Sequence, residues 1–132
     1  MPNETKLLQF VAAFLGVPNT GDNAQNAGQC VGLVERWLDE CELPHIYGNA
    51  KDLLTNAGGK PYKVTKNSPT NFPPAGAIVV WGSTWGGGYG HTAVVLAATK
   101  NFIAVFEQND PTGSYPIVAT HNYSGVVGWI TW

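Results

Sequence analysis

The sequence predicts an α+β fold in which N-terminal helices pack on a C-terminal antiparallel β-sheet. Three observations carry this. Apolar residues recur at helical spacing only in the first half of the chain. Short runs rich in Ile and Val, bounded by turn residues, fill the second half. Helices that precede the strands, rather than alternate with them, favour segregated layers over a parallel sheet. The 132 residues, 44% hydrophobic and 12% charged, suit a single domain spanning 1–132 with a substantial core. Disorder requires the opposite balance.

The first helix spans Glu4–Leu15. Leu7, Leu8, Val11, Phe14 and Leu15 share one face, Asn3 is placed to cap it, and Gly16 with Pro18 ends it. Val17–Ala27 is a polar loop. A second helix begins near Gly28 or Gln29, with Cys30, Val34, Trp37, Leu38 and Cys41 inward and Glu35, Arg36 and Asp39 outward, and Pro44 closes it. Ala50–Asn56 forms a short third helix with Asn49 as cap and Gly58-Gly59 as terminator. Lys60–Pro74 is proline-rich connection around a short strand at Tyr62–Thr65. Five strands follow: Ala77–Trp81, His91–Ala98, Phe102–Gln108, Ile117–His121 and Val126–Thr131, the second and third of these joined by a Thr99-Lys100-Asn101 turn.

Charge and patterning exclude several functions. Seven Lys and Arg against nine Asp and Glu give a formal charge of −2, with none of the basic clustering that nucleic-acid binding requires. No apolar run exceeds six residues, far below the ~18–20 of a membrane span. Asn3 and Glu4 precede the first apolar residues, so synthesis in a cytoplasm without a signal peptide is expected.

Cys30 and Cys41 lie on one helix, where eleven residues put their Cα atoms roughly 16 Å apart; a disulfide spans at most ~7 Å. Both therefore read as free thiols. Gly28-Gln29-Cys30 places one sulfur in the first helical turn, where the helix dipole and free N–H groups favour a thiolate. The ordinary account of such a residue is a small buried hydrophobe. A partner for the sulfur comes from the hairpin. If residue 98 faces 102, opposed residues sum to 200, and His91 stands across from Asn109 with Glu107 diagonal on the same face. A slip of one residue would turn His91 away from both. Cys nucleophile, His base, and a carboxylate or amide to orient the ring make up a thiol acyl-transfer set. Separately, Glu107 reads as a strand-end carboxylate and Asn109 as a turn residue before Asp110-Pro111.

The segment Trp81–Gly90 holds five glycines and runs directly into His91. Its Trp85 and Tyr89 suit the walls of a substrate groove, or the packed aromatics of an ordinary loop. The Lys-Ser/Thr ending of a phosphate loop is absent. No Cys-x-x-Cys or His-x-x-x-His spacing occurs, so no metal site is expected, and His45 and His121 read as surface or turn residues.

Taken in order, Gly28-Gln29-Cys30-Val31, Ala75-Gly76-Ala77-Ile78-Val79-Val80-Trp81, Tyr89-Gly90-His91-Thr92-Ala93-Val94-Val95, Phe106-Glu107-Gln108-Asn109 and Val127-Gly128-Trp129 resemble the CHAP family of cysteine- and histidine-dependent amidohydrolases/peptidases, of the papain-like superfamily. The resemblance implies a papain-like fold and cleavage of peptidoglycan, at the N-acetylmuramoyl–L-Ala amide or at peptide bonds of the stem or cross-bridge. Many members are catalytic domains of bacteriophage endolysins, often joined to a separate wall-binding domain. It further implies Cys30 as nucleophile, His91 as base, Glu107 as orienting residue and Asn109 as a supporting polar group. The Cys30 backbone N–H meets the oxyanion, with Gln29 as a second donor. Calcium-binding members carry several carboxylates around the nucleophile. Here Asn19–Ala27 has only Asp22, and Gly32 stands where an Asp is often seen, so no tight calcium site and no cofactor are expected. Two other readings stand beside this one. A non-catalytic wall- or glycan-binding module would use the five tryptophans for recognition, and an NlpC/P60-type stem-peptide endopeptidase would keep the Cys–His chemistry.

Overall fold

A computed structural model describes all residues, Met1–Trp132. Helix α1 (Glu4–Phe14) and helix α2 (Cys30–Glu40) precede a 3₁₀ turn at Ala50–Asp52 that runs into helix α3 (Leu53–Asn56). Strands β1 (Lys63–Lys66), β2 (Ile78–Trp81), β3 (His91–Ala98), β4 (Ile103–Glu107), β5 (Ile117–His121) and β6 (Val126–Thr131) form one antiparallel sheet in the order β1-β6-β2-β3-β4-β5. The α+β architecture expected from the sequence is the observed one. No helix is long and apolar enough to cross a membrane.

Asn3 caps α1 as expected, its side chain accepting from the Lys6 N–H at 2.9 Å. The buried stripe is shifted from the sequence reading. Leu7 and Phe10 face the core with Val11 and Phe14 beside them, whereas Leu8 and Leu15 are exposed. The spacing 7, 10, 11, 14 is a narrower helical stripe, and it brings Phe10 onto Phe14, Trp37 and Phe106 with ring centroids 5.0, 5.0 and 5.9 Å apart. Asn49 precedes the third helical segment but accepts no side-chain cap bond. Its place is the cavity wall described below.

The sheet buries both faces. One packs under α1 and α2 through Ile78, Val80, Val94, Phe106 and Ile130. Trp37 of α2 anchors there, fully buried, with its indole N–H donating to the Gly76 carbonyl at 2.9 Å. The opposite face gathers Ala77, Val79, Trp81, Ala93, Val95, Ile103 and Val105 into a second cluster, with Trp85 and Tyr123 packed on it. The sheet curls so far over this second cluster that His121 on β5 meets Trp81 on β2, three strands away, at 5.4 Å between ring centroids. That curl brings side chains from distant strands to one end of the molecule.

Phe106 is fully buried where the two longer helices meet the sheet. Phe106→Ala is expected to lower unfolding free energy by about 3–5 kcal/mol, read as a fall in the urea midpoint with an unchanged slope.

Candidate active site

Helix α2 begins at Cys30, and Gln29 before it is extended and supplies no side-chain cap. The N–H groups of Cys30 and Val31 have no partner within the chain and point out of the helix end. The preceding loop is held from across the molecule by Gln108, which is fully buried at the end of β4. Its Oε1 accepts from the Thr20 N–H at 3.1 Å, and its Nε2 donates to the carbonyls of Thr20 and Gln29, both at 2.8 Å. Gly32 completes this seating, since a Cβ there would stand 2.1 Å from the Asn26 carbonyl oxygen. Loop 20–29 thus lies directly against the second residue after Cys30.

His91 opens β3 and is buried. It follows Gly90 (φ +82°), where a Cβ would come within 2.6 Å of both the Lys51 nitrogen and the Trp81 carbonyl, so only glycine lets the 3₁₀ turn close on the strand end. The expected register is met by a route that the loop length hides. Near the turn Ala98 faces Ile103 and Ala97 faces Ala104, a sum of 201, one more than the three-residue turn implies. A bulge between Val95 and Ala97 then restores the sum of 200 at Val95–Val105 and Val94–Phe106. Carried to the strand end, that register puts His91 and Glu107 on one face.

Glu107 is only 1% exposed. Its Oε1 lies 3.3 Å from His91 Nε2 and 2.7 Å from His121 Nε2, so one carboxylate oxygen serves two imidazoles. Trp85 stacks on His91 with centroids 5.8 Å apart and planes 17° apart, and stands edge-on to His121 at 5.2 Å. Trp81 flanks His91 on another side at 5.2 Å. Burial favours the neutral form of Glu107, but hydrogen bonds from His91 and His121, with their charges, prevail and hold its pKa below the usual carboxylate range. Burial likewise opposes a charged His91. Hydrogen bonding to Cys30 and to Glu107 outweighs it and lifts the ring to about 9.

Cys30 and His91 line one cavity of about 350 Å³, together with Gln29, Asn49, Tyr89 and Asn109. The sequence-derived residues therefore converge, with differences in how they are used. Asn109 adopts φ +68°, and its Oδ1 accepts from the Gly113 N–H at 2.7 Å. It is the turn residue of its second reading and makes no hydrogen bond to His91, because a left-handed backbone aims the side chain along the following loop. Gln29 spends one amide hydrogen on the Gln25 carbonyl at 3.2 Å, leaving the other for a ligand. Tyr89 is exposed on the cavity rim, while Trp85 is a packing plate for the two imidazoles and borders the neighbouring groove with Asp110 and Pro111. Cys41, at the far end of α2, is also a free thiol, and burial pushes it up to about 11.

Two residues lie outside the sequence reading. Gln108 gives no one-dimensional signal beyond its place next to Glu107. His121, which follows no metal-ligand spacing and reads as a surface or turn residue, lies on β5, which pairs Ile117 with Glu107 and His121 with Ile103. On a flat sheet this spacing separates His121 from Glu107 by roughly 13 Å. The curl of the sheet closes that gap.

Comparison with known proteins bears on this arrangement. The family model of the CHAP domain matches residues 20–109. The curated relative Endolysin PlyTW of Staphylococcus phage Twort is 34% identical over 94 residues, covering 64% of this chain and 20% of its own length. The chain thus spans about a fifth of that relative. The solved structure of endolysin LysIME-EF1 superposes with a TM-score of 0.80 at 22% identity, over 99% of this chain and 64% of that one. An N-acetylmuramoyl-L-alanine amidase from Staphylococcus aureus superposes with a TM-score of 0.64 at 23% identity, over 89% of this chain and 34% of that one.

The contrast between the two thiols is measurable. At pH 7 iodoacetamide is expected to alkylate Cys30 at least ~100-fold faster than Cys41, as mapped by peptide mass spectrometry. Equal rates would contradict the suppression of Cys41 by burial.

Proposed function

The chain belongs to the CHAP domain family, and from that premise we propose that it is a peptidoglycan hydrolase of the endolysin type that cleaves an amide bond with Cys30 as nucleophile. The observation that carries the reading is that Cys30 and His91 line one cavity, with Glu107 buried beside His91 and fixed by a second imidazole. The endolysin relative and the amidase neighbour support the substrate class.

Glu107 occupies His91 Nε2, which leaves Nδ1 for the sulfur. His91 takes the proton of the Cys30 thiol, and the raised affinity of the ring for its proton stabilises the imidazolium that results. The thiolate attacks the amide carbon and forms the C–S bond. The oxyanion develops next to the unpartnered N–H of Cys30, with the remaining Gln29 amide hydrogen as second donor. His91 then passes its proton to the departing amine as the C–N bond breaks. In the second half, His91 takes a proton from water, hydroxide adds to the thioester, and the sulfur leaves as thiolate. Glu107 remains ionised throughout and orients the ring. The same centre serves the muramoyl–L-Ala amide and stem or cross-bridge peptide bonds; the groove walls, among them Tyr89 and Asn109, select between them. In longer relatives such a unit is combined with other domains, and its place of action is the cell wall.

Cys30→Ala is expected to remove lysis of susceptible cell walls, measured as loss of turbidity, by more than ~10³-fold while leaving the thermal midpoint unchanged. Digestion of defined peptidoglycan by the unaltered protein would leave new amine termini in the mass spectrum. Lysis that persists in the variant, or wall binding without new termini, would overturn the assignment.

The proton held by His91 also sets a pH dependence. Because the folded ring loses its proton near 9, activity is expected to persist through neutral pH and fall as pH rises through about 9. Glu107→Gln removes the negative charge that helps hold the proton, so this alkaline limb moves to lower pH. A limb that stays in place in that variant would contradict the orienting role of Glu107.

A further inference from the structure

Beside the cavity that holds Cys30 lies a second cavity, and it contains a cluster that the hydrolase chemistry does not use. Asp22 of loop 20–29, Glu35 of α2 and His45 of the connection after α2 converge there, with one ligand atom of each within 4.8 Å of the others. Glu35 falls on the helix face that the amphipathic pattern turns outward, yet its side chain is only 3% exposed. Its Oε1 accepts from the Ile46 N–H at 3.2 Å, while Oε2 is buried without a hydrogen-bond partner and points at the cluster. Asp22 is equally buried, its carboxylate held by the side-chain amides of Asn23 and Asn26 at 3.0 and 3.1 Å.

The two separations from His45 match those between ligands of one ion. His45 Nδ1 is 3.4 Å from Asp22 Oδ2 and 3.6 Å from Glu35 Oε2. Ligands bound to one tetrahedral zinc at about 2.0–2.1 Å lie roughly 3.3 Å from one another. The other ring nitrogen, Nε2, is 2.6 Å from Asp39 Oδ1. A carboxylate on the far nitrogen fixes the ring and the tautomer that offers Nδ1 to a metal. No Lys or Arg pairs with Asp22, Glu35 or Asp39. Calcium would call for a shell of oxygen ligands, whereas one imidazole and two carboxylates suit zinc.

We propose that Asp22, Glu35 and His45 form a zinc-type metal site, with Asp39 orienting His45, that ties loop 20–29 to α2 and to the chain after it. The site is structural. Its cavity shares Gln29, Val31 and Asn49 with the cavity of Cys30, so the ion braces the segment that delivers the nucleophile. Sequence reading had no route to it, because positions 22, 35 and 45 follow none of the short metal-ligand spacings.

The test uses the full chain carrying Cys30→Ala, so that the thiolate offers no competing ligand, first stripped with a chelator. Zinc at ~100-fold above its dissociation constant is expected to raise the thermal midpoint by roughly 8 °C with one ion bound per chain, and calcium at the same concentration to do much less. His45→Gln or Glu35→Gln in the same background removes the shift. Imidazole ¹⁵N spectra report the ligand directly: zinc moves the His45 Nδ1 resonance and leaves His91 and His121 in place. A zinc shift that survives His45→Gln, a response at His91 or His121 instead, an equal effect of calcium, or no shift would each overturn the proposal.

Discussion

One buried carboxylate organises the working end of this molecule. Glu107 sits where burial alone would protonate it, and it stays ionised because two imidazoles donate to the same oxygen. Such a charge is tolerated in the interior only while its partners are in place; loss of a partner leaves it uncompensated, a change of several kcal/mol in comparable buried pairs. The consequence for His91 is geometric as well as electrostatic. Its Nε2 faces Glu107, its ring lies against Trp81 and Trp85, and it lines one cavity with Cys30. The proposed nucleophile gains a proposed base whose orientation is set before any substrate arrives.

The fold supplies this arrangement through two long-range devices. The first is sheet curvature, which carries His121 across from β5 to Glu107 and to the tryptophans of the β2 end. The second is Gln108, the neighbour of Glu107, whose side chain faces the other way and bonds to Thr20 and Gln29. Successive residues at the end of β4 thus hold His91 on one face of the sheet and the loop before Cys30 on the other. Alternation of side chains along a strand makes that division possible. Any movement of the end of β4 displaces both halves of the site together.

Legibility in the sequence followed the range of the interactions. β3, β5 and β6 match their sequence-derived bounds because hydrophobic runs and flanking turns are local signals. The His91–Glu107 alignment was also readable, although the turn proved one residue longer and a bulge at Leu96 compensated for it. Asn109 follows its local turn chemistry while it also lines the cavity of Cys30. Residues whose surroundings come from other elements escaped. Glu35 looked solvent-facing by helical periodicity and is buried by the chain around His45 and Ile46. Leu8, expected on the buried face, is exposed, and Phe10 is buried instead because it meets three aromatic rings. His121 needed the curl of the whole sheet. Departures from local pattern of this kind tend to mark functional or strained positions, and Glu35 and His121 both fall in polar clusters.

The account rests on His91 holding its proton between a sulfur and a carboxylate, and an NMR titration of the His91 ring nitrogens in the unaltered protein tests that most directly. The ring should remain protonated through neutral pH and release its proton near 9. A titration at the ordinary histidine value near 6.5, with Nδ1 insensitive to replacement of Cys30, would contradict it.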